Sequence, residues 1–148
     1  SENFKNLGPE PLEKTFTFSK FKQALRKRKR GKIKQILMDQ KIIVGIGNIY
    51  SDEILWEAKI NPFRDIKTLK EKELKETYKA IKKILKKGIK VKGDSVSDYR
   101  KVDGTKGSFG ILEKVYRKEG KKCKRCKSQI KRKKIGGRSA HFCPKCQK

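Results

Sequence analysis

The chain has 148 residues, of which 34% are hydrophobic and 40% are charged, so there is too little apolar material for a large core. Its formal net charge of +27 would oppose folding by self-repulsion unless a polyanion balanced it, and nucleic acid is the polyanion that we expect. The sequence contains no run of 18 apolar residues and no basic-then-apolar N-terminal segment, which predicts a cytoplasmic protein with no membrane partner.

Helical periodicity dominates the first two thirds of the sequence. Ser19 is a candidate N-cap for a helix that runs into the basic stretch 26–30. A shorter segment at 33–40 repeats the apolar spacing. A third helix is predicted to begin at Asn48 and to close at Asn61-Pro62, because a residue that precedes proline avoids the helical region.

The longest predicted helix begins after residue 68. The stretch Thr68-Leu69-Lys70-Glu71 has the order of a capping box, in which the threonine and the glutamate each satisfy a free amide. Apolar residues then recur at helical spacing until close to Gly88. This helix is predicted to be a scaffold, with its apolar stripe in the core.

Two glycines precede the third helix in VGIGNIYSDE, residues 44–53. A dinucleotide-binding fingerprint needs a third glycine where Tyr50 stands, and a Walker loop needs a GK[ST] ending, so neither nucleotide motif fits. What remains is a sharp connection in which Gly45 and Gly47 let the chain reverse and leave amides free at Asn48. A helix N-terminus binds anions, and in this basic chain the expected anion is a nucleic-acid phosphate.

Four cysteines form the strongest local motif. Two CxxC pairs separated by 16 residues have the spacing of a four-thiolate zinc site, and the span between them is long enough for a β-hairpin. Four thiolates close the tetrahedron, so we predict one structural Zn²⁺ and no catalytic water. The predicted ligands are Cys123, Cys126, Cys143 and Cys146. His141 is an alternative ligand to Cys143, and we interpret it instead as a partly exposed strand residue.

The zinc hairpin is strongly basic. Residues 121–134 include nine basic and no acidic side chains, an array suited to backbone phosphates. Gly136 and Gly137 permit a tight turn, after which Arg138 could lie at the tip and bind a phosphate with its guanidinium, or could simply be exposed to solvent.

Several of these motifs together resemble the C-terminal half of the formamidopyrimidine-DNA glycosylases, bacterial base-excision-repair proteins. They are QILMDQKIIVGIGNIYSDEILW, then INPFR, then DSVSDYRKVDGTKGSFG, and last GGRSAHFCPKCQK. The resemblance covers nearly the whole chain, and LGPEPL at 7–12 is similar to the family's interdomain linker. It implies a mainly α fold with a small β part, namely a helix-two-turn-helix domain followed by a four-cysteine zinc β-hairpin.

The resemblance also implies a layout in four parts. Residues 1–14 would be an interdomain linker remnant and 15–92 the helix-two-turn-helix DNA-binding domain. Residues 93–110 would be a flexible loop like the one that covers an everted 8-oxoguanine, and 111–148 the zinc-finger β-hairpin. The partners so implied are double-stranded DNA, damaged or abasic, and an N-terminal catalytic domain of the same protein. A bacterial, nucleoid-associated location is expected.

Site residues follow from the same resemblance, position by position. Asn48 matches the asparagine of the family's GxGN turn, which binds the phosphates flanking the lesion, and Arg138 matches a hairpin arginine on the same backbone. Lys34 matches a lysine near the damaged nucleotide. The predicted DNA-binding set is Lys34, Gly47, Asn48, Tyr50 and Arg138, and the predicted lesion-loop set is Val96, Ser97, Asp98 and Tyr99.

The family's catalytic group does not match this chain. In the family a proline at the mature N-terminus attacks the sugar with its free secondary amine, beside a glutamate, whereas this sequence begins at Ser1. Pro9-Glu10 imitates that dipeptide, but the nitrogen of Pro9 is acylated by Gly8. We therefore expect this chain alone to be inactive. Two alternatives are an RNA-binding ribosomal or other structural protein with a zinc ribbon, and a lyase that uses one of the many lysines.

Overall fold

Four helices and one β-hairpin make up the computed structural model, which describes residues 6–98 and 113–148. The helices are α1 (Phe18–Leu25), α2 (Ile33–Leu37), α3 (Asn48–Ala58) and α4 (Glu71–Asp98), with a 3₁₀ turn at Ile66–Thr68. Strands β1 (Lys131–Ile135) and β2 (Arg138–Phe142) pair in antiparallel register. The predicted mainly α fold with a four-cysteine hairpin is confirmed. None of the helices in the described ranges contains an apolar stretch of the length that a membrane span needs.

Two helix caps differ from the sequence prediction. Thr17, not Ser19, is the N-cap of α1, since its side chain accepts a hydrogen bond from the amide of Lys20. The predicted capping box at Thr68 is also wrong, because Thr68 ends the 3₁₀ turn. Instead the amide of Lys70 donates to Glu73 Oε1 at 2.9 Å, so the glutamate reaches back from one turn later.

Helix α3 begins at Asn48 as predicted, but it ends before the proline. Lys59 follows the helix in the left-handed conformation with φ 63°, and its amide donates to the carbonyl of Trp56. The next amide, of Ile60, donates to Leu55. These bonds satisfy carbonyls at the end of the helix, so the local backbone, rather than Pro62, terminates it.

Helix α4 continues through Gly88 to Asp98, so the predicted end near Gly88 is wrong. Gly88 is buried against the ring of Tyr50, whose hydroxyl a Cβ at that position would overlap. The glycine therefore makes room for a side chain of α3 instead of breaking α4. Of the predicted lesion loop, Val96, Ser97 and Asp98 lie on the last turn of α4, and Tyr99 lies outside the described residues.

The apolar residues form a helical core and smaller clusters in the hairpin region. The helical core joins all four helices and includes Phe21, Leu37, Leu55 and Ile81. A second cluster packs Val115, Ile130 and cysteine side chains around Trp56 of α3. Trp56 is thus one of the side chains of α3 on which the zinc hairpin is seated, so the hairpin and α3 occupy one region of the molecule.

Candidate nucleic-acid interface

The turn before α3 is held open by its glycines and by one glutamine. Gly45 has φ 91°, a conformation that residues other than glycine rarely adopt. Its amide donates to Gln40 Oε1 at 2.8 Å. Gln40 Nε2 in turn donates to the carbonyls of Met38 and Ile46. Sequence analysis did not single out Gln40, although it lies within the quoted stretch QILMDQKIIVGIGNIYSDEILW. The glutamine fixes the turn without using the amides of the helix that follows.

Those amides leave the N-terminus of α3 ready for an anion. Gly47 precedes the helix in an extended conformation, with no side-chain cap and no acidic residue in the first turn. In the described part of the chain, the amides of Asn48, Ile49 and Tyr50 donate to no protein acceptor. Asn48 Oδ1 is buried without a hydrogen-bond partner in that same part. The free backbone amides at this helix end are suited to a phosphate, whereas Asn48 Oδ1, as an acceptor, requires a donor instead.

The cysteine cluster fits a single zinc ion. All four sulfur atoms lie within 4.8 Å of one another, with Cys123 Sγ 3.8 Å from Cys146 Sγ and Cys126 Sγ 3.3 Å from Cys143 Sγ. A tetrahedral ion with Zn–S bonds of about 2.3 Å requires sulfur separations of about 3.8 Å. The predicted ligand set is thus brought together, and His141 is not part of it.

Arg125 and Trp56 support this cluster from the side of α3. The guanidinium of Arg125 stacks 4.0 Å from the Trp56 ring centre and donates to the Trp56 carbonyl and to Cys146 Sγ. Trp56 Nε1 lies 3.3 Å from Cys123 Sγ. Trp56 is a packing residue, and its partner is the metal site. Donors to the sulfur atoms stabilise thiolates, and they also anchor the site to the helical part.

The hairpin presents its charge outward. Four consecutive basic side chains of β1, from Lys131 to Lys134, are exposed. Gly136 has φ 61° in the turn, and Arg138 follows as an exposed residue at the start of β2. Arg138 is therefore at the hairpin tip, as the sequence suggested, and its side chain forms no hydrogen bond within the described part.

Lys34 is placed differently from the other predicted DNA-binding residues. Its side chain is fully buried, and Nζ lies 2.7 Å from Asp52 Oδ1, 2.8 Å from Ser51 Oγ and 3.3 Å from the Asn48 carbonyl. Burial lowers the pKa of Lys34, and the carboxylate of Asp52 acts in the opposite direction. Lys34 supports the start of α3 from behind. Direct contact with DNA stays a prediction, and it would require this side chain to leave three acceptors.

His141 was wrongly predicted to be partly exposed. Its side chain is 5% exposed, Nδ1 lies 2.8 Å from Asp52 Oδ2, and its backbone amide donates to the same oxygen at 3.1 Å. The ring also packs edge-on against Tyr116. A strand histidine was the correct assignment, but its partner, 89 positions away, gave no local signal.

Glu53, next to Asp52, binds the segment that leads into the zinc hairpin. Its buried carboxylate accepts hydrogen bonds from the amides of Lys114, Val115 and Tyr116 at 2.7 to 3.1 Å. Burial raises the pKa of Glu53 to about 7 although these three amides favour the carboxylate. Sequence analysis did not identify Asp52 or Glu53 as site residues, because acidic residues in a helix usually face solvent.

Two clefts show which predicted residues share a surface. An open cleft of about 430 Å³ is lined by Asn48 of α3 together with Arg132 and Ser139 of the hairpin. A neighbouring cleft of about 180 Å³ runs between α2 and the hairpin tip, with Arg138 and Lys34 in its wall. Tyr50 is half-buried and packs on the helical core. Asn48 and the basic hairpin therefore face a common space.

These features define a class of protein in which a helix-two-turn-helix domain carries a structural zinc finger. The family model of the formamidopyrimidine-DNA glycosylase H2TH domain matches residues 7–100. The model of the zinc finger found in FPG and IleRS matches residues 120–148. The chain belongs to the formamidopyrimidine-DNA glycosylase family defined by that H2TH domain.

Curated and solved relatives agree with this assignment. Formamidopyrimidine-DNA glycosylase of Prochlorococcus marinus subsp. pastoris is 48% identical over 142 residues, which are 96% of this chain and 48% of the relative. That of Carboxydothermus hydrogenoformans is 49% identical over 142 residues, which are 96% and 54% of the two chains. The Lactococcus lactis protein in complex with abasic-site DNA aligns with TM-score 0.84 and 39% identity, over 99% of this chain and 54% of that chain.

The chain spans about half the length of the curated relatives that it matches, and it resembles their C-terminal portion. The similarity thus covers the helical domain and the zinc finger, and both are recognisable in the described structure. It favours the glycosylase interpretation over a ribosomal protein with a zinc ribbon.

Proposed function

We propose that this chain binds duplex DNA at damaged or abasic sites, as the DNA-gripping part of a formamidopyrimidine-type DNA glycosylase. The observation that carries the proposal is the pairing of an unsatisfied helix end with an exposed arginine. Asn48 and the free amides of α3 lie beside a basic hairpin whose tip carries Arg138. We call Asn48 and Arg138 together the DNA clamp.

Physical chemistry favours a nucleic-acid backbone as the ligand of this clamp. Amides at a helix N-terminus bind phosphate oxygens, and a guanidinium binds phosphate through two parallel hydrogen bonds. A chain of net charge +27 gains affinity mainly by releasing counterions from DNA. Relatives of this fold have been solved in complex with DNA that contains an abasic site or an 8-oxoguanine analogue.

Similarity to the relatives supports a wider proposal. We propose that an N-terminal catalytic domain of the same protein performs base removal and strand cleavage, and that the complex acts on chromosomal DNA in the bacterial cytoplasm. Residues Val96–Tyr99 are proposed to contribute to covering the lesion. Gly47 and Tyr50 would act through the shape of the turn and the seating of α3, since Gly47 has no side chain and Tyr50 packs inward.

Substitution of the clamp residues tests this proposal. Asn48→Ala and Arg138→Ala should each weaken binding to a duplex with one abasic site by roughly 1 to 3 kcal/mol, because each removes a polar or charged contact to a phosphate. Fluorescence anisotropy with the zinc-loaded chain measures the effect. Lys72→Ala, which removes an exposed charge on α4, is the matched control and should change affinity little.

Two results would contradict the proposal. Unchanged affinity in both clamp variants would remove the assigned contact residues. Preference for a structured RNA over the duplex at equal salt concentration would favour the ribosomal interpretation, since the A-form helix presents different groove shapes.

A lysine-based lyase activity is the second function to test. Burial lowers the pKa of Lys34, which would favour the neutral amine that attacks an aldehyde, but this amine is enclosed by three acceptors. We therefore expect borohydride to trap no covalent adduct between this chain and an abasic duplex that it binds. A full-length glycosylase is the positive control. A trapped adduct that disappears in Lys34→Arg would assign the chemistry to Lys34.

A further inference from the structure

Asp52 lies between the two halves of the proposed DNA clamp. It is 1% exposed, and each of its carboxylate oxygens is used on a different side. Oδ1 accepts from Lys34 Nζ at 2.7 Å, and Oδ2 accepts from the amide of His141 and lies 2.8 Å from its Nδ1. The carboxylate thus joins the helical domain to the zinc hairpin, and all three side chains in this connection are buried.

On the helical side, the connection leads directly to Asn48. Lys34 Nζ, which holds Asp52, also donates to the carbonyl of Asn48 and to Ser51 Oγ. Ser51 Oγ donates to that same carbonyl at 3.0 Å. The backbone of the clamp asparagine is therefore fixed by the ammonium that is paired with Asp52.

On the hairpin side, the connection leads to Arg138. His141 lies on β2, the strand that Arg138 begins, and it pairs with Arg132 of β1 across the ladder. A β-ladder of five residue pairs with a tight glycine turn is a stiff element, so fixing His141 fixes the direction of the hairpin tip. His141 also contacts Tyr116, in the segment whose amides bind Glu53.

We infer that Asp52 is a positioning residue which couples Asn48 to Arg138, so that both halves of the clamp engage one phosphate backbone as a unit. This inference rests on the proposed function. The contacts run without interruption from the Asn48 carbonyl through Lys34, Asp52 and His141 to the strand of Arg138. A buried ion pair adds little net stability, but separating its partners strands a charge, and this cost holds Lys34 and Asp52 together.

A double-mutant cycle measures this coupling. Asn48→Ala and Arg138→Ala are combined in the zinc-loaded chain, and affinity for an abasic-site duplex is compared with the two single variants. If the clamp acts as a unit, the loss of affinity in the double variant should be smaller than the product of the two single losses. The difference should be about threefold or more. His141→Phe keeps an aromatic ring but removes the Nδ1 contact to Asp52 and the longer Nε2 approach to Glu119. In that background the double variant should lose as much affinity as the product of the single losses.

A control variant distinguishes a general loss of stability from a specific loss of coupling between Asn48 and Arg138. Ile81→Val removes one methylene from the helical core, far along the chain from the Asp52 contacts, and should lower stability without changing the coupling. Asp52→Asn, if it folds, should abolish the coupling as well. If Asp52→Asn does not fold, the His141→Phe result alone decides whether Asp52 couples the two clamp residues.

Three outcomes are distinguishable. Loss of coupling in His141→Phe but not in Ile81→Val supports the inference. Coupling that persists in His141→Phe, or that is absent from the parent chain while binding is normal, overturns it and leaves the proposed function intact. Single clamp variants that bind like the parent chain overturn the proposed function, and the inference with it.

Discussion

Zinc removal by a chelator should shift the fluorescence of Trp56 to longer wavelength while most of the helical circular dichroism remains. Trp56 is the single tryptophan, it is 8% exposed, and its contacts are those of the zinc hairpin. Structural zinc contributes about 10–16 kcal/mol of apparent free energy in zinc-finger peptides, far more than the small cluster around Val115 and Ile130 can replace. The hairpin should therefore unfold and expose the ring.

The helices should survive because their core is separate. The cluster that joins α1 to α4 shares no member with the cluster at the zinc site. Re-addition of zinc should restore the emission, and Cys126→Ser should show the shifted emission without any chelator. A shift of the Trp56 emission together with loss of the helical circular dichroism would contradict the independence of the two parts.

Lys34→Met should lower the free energy of unfolding by about 3–5 kcal/mol, the range measured when one partner of a buried ion pair is removed. Methionine fills a similar volume, so the loss comes from the charge and hydrogen bonds and not from a cavity. Asp52 would keep its contacts to His141 but would carry a buried charge without its cation. Urea unfolding of the zinc-loaded chain measures the change.

The control for this variant is Lys72→Met on the exposed face of α4, where the change should be within about 0.5 kcal/mol. Adding Asp52→Asn to Lys34→Met should recover part of the loss, because no charge is then stranded. If Lys34→Met and Lys72→Met unfold at the same urea concentration, removal of the cation leaves no stranded charge at Asp52, and the buried pair described above is contradicted.

Local features of this chain could be predicted from sequence. The four cysteines were assigned correctly because a zinc site is made of two short turns whose ligand spacing is visible in the sequence. The start of α3 at Asn48 followed from glycines that only a turn requires. The contact roles of Asn48 and Arg138 stay predictions, and the structure gives both residues suitable surroundings.

Features that depend on distant partners could not be predicted. His141 was taken as partly exposed because its carboxylate partner lies on another element, and a histidine on a strand gives no indication of such a partner. Gly88 was taken as a helix end, since glycine usually weakens a helix by about 1 kcal/mol relative to alanine. The caps at Thr17 and Glu73 were each missed by two residues, because several neighbouring residues offer equally good capping groups.

The contact between Tyr50 and Gly88 sets the position of α4 along its own axis. An amphipathic helix repeats its apolar face at each turn, so a displacement of about 5.4 Å would keep an apolar stripe over the same core. Such a displacement would replace Gly88 by Ile84 or Val91 beside the tyrosine ring, where there is no room for a side chain. The absence of a side chain at Gly88 thus disfavours a one-turn shift of the longest helix, and the contact that does so lies at the first turn of α3, the helix that Asn48 begins.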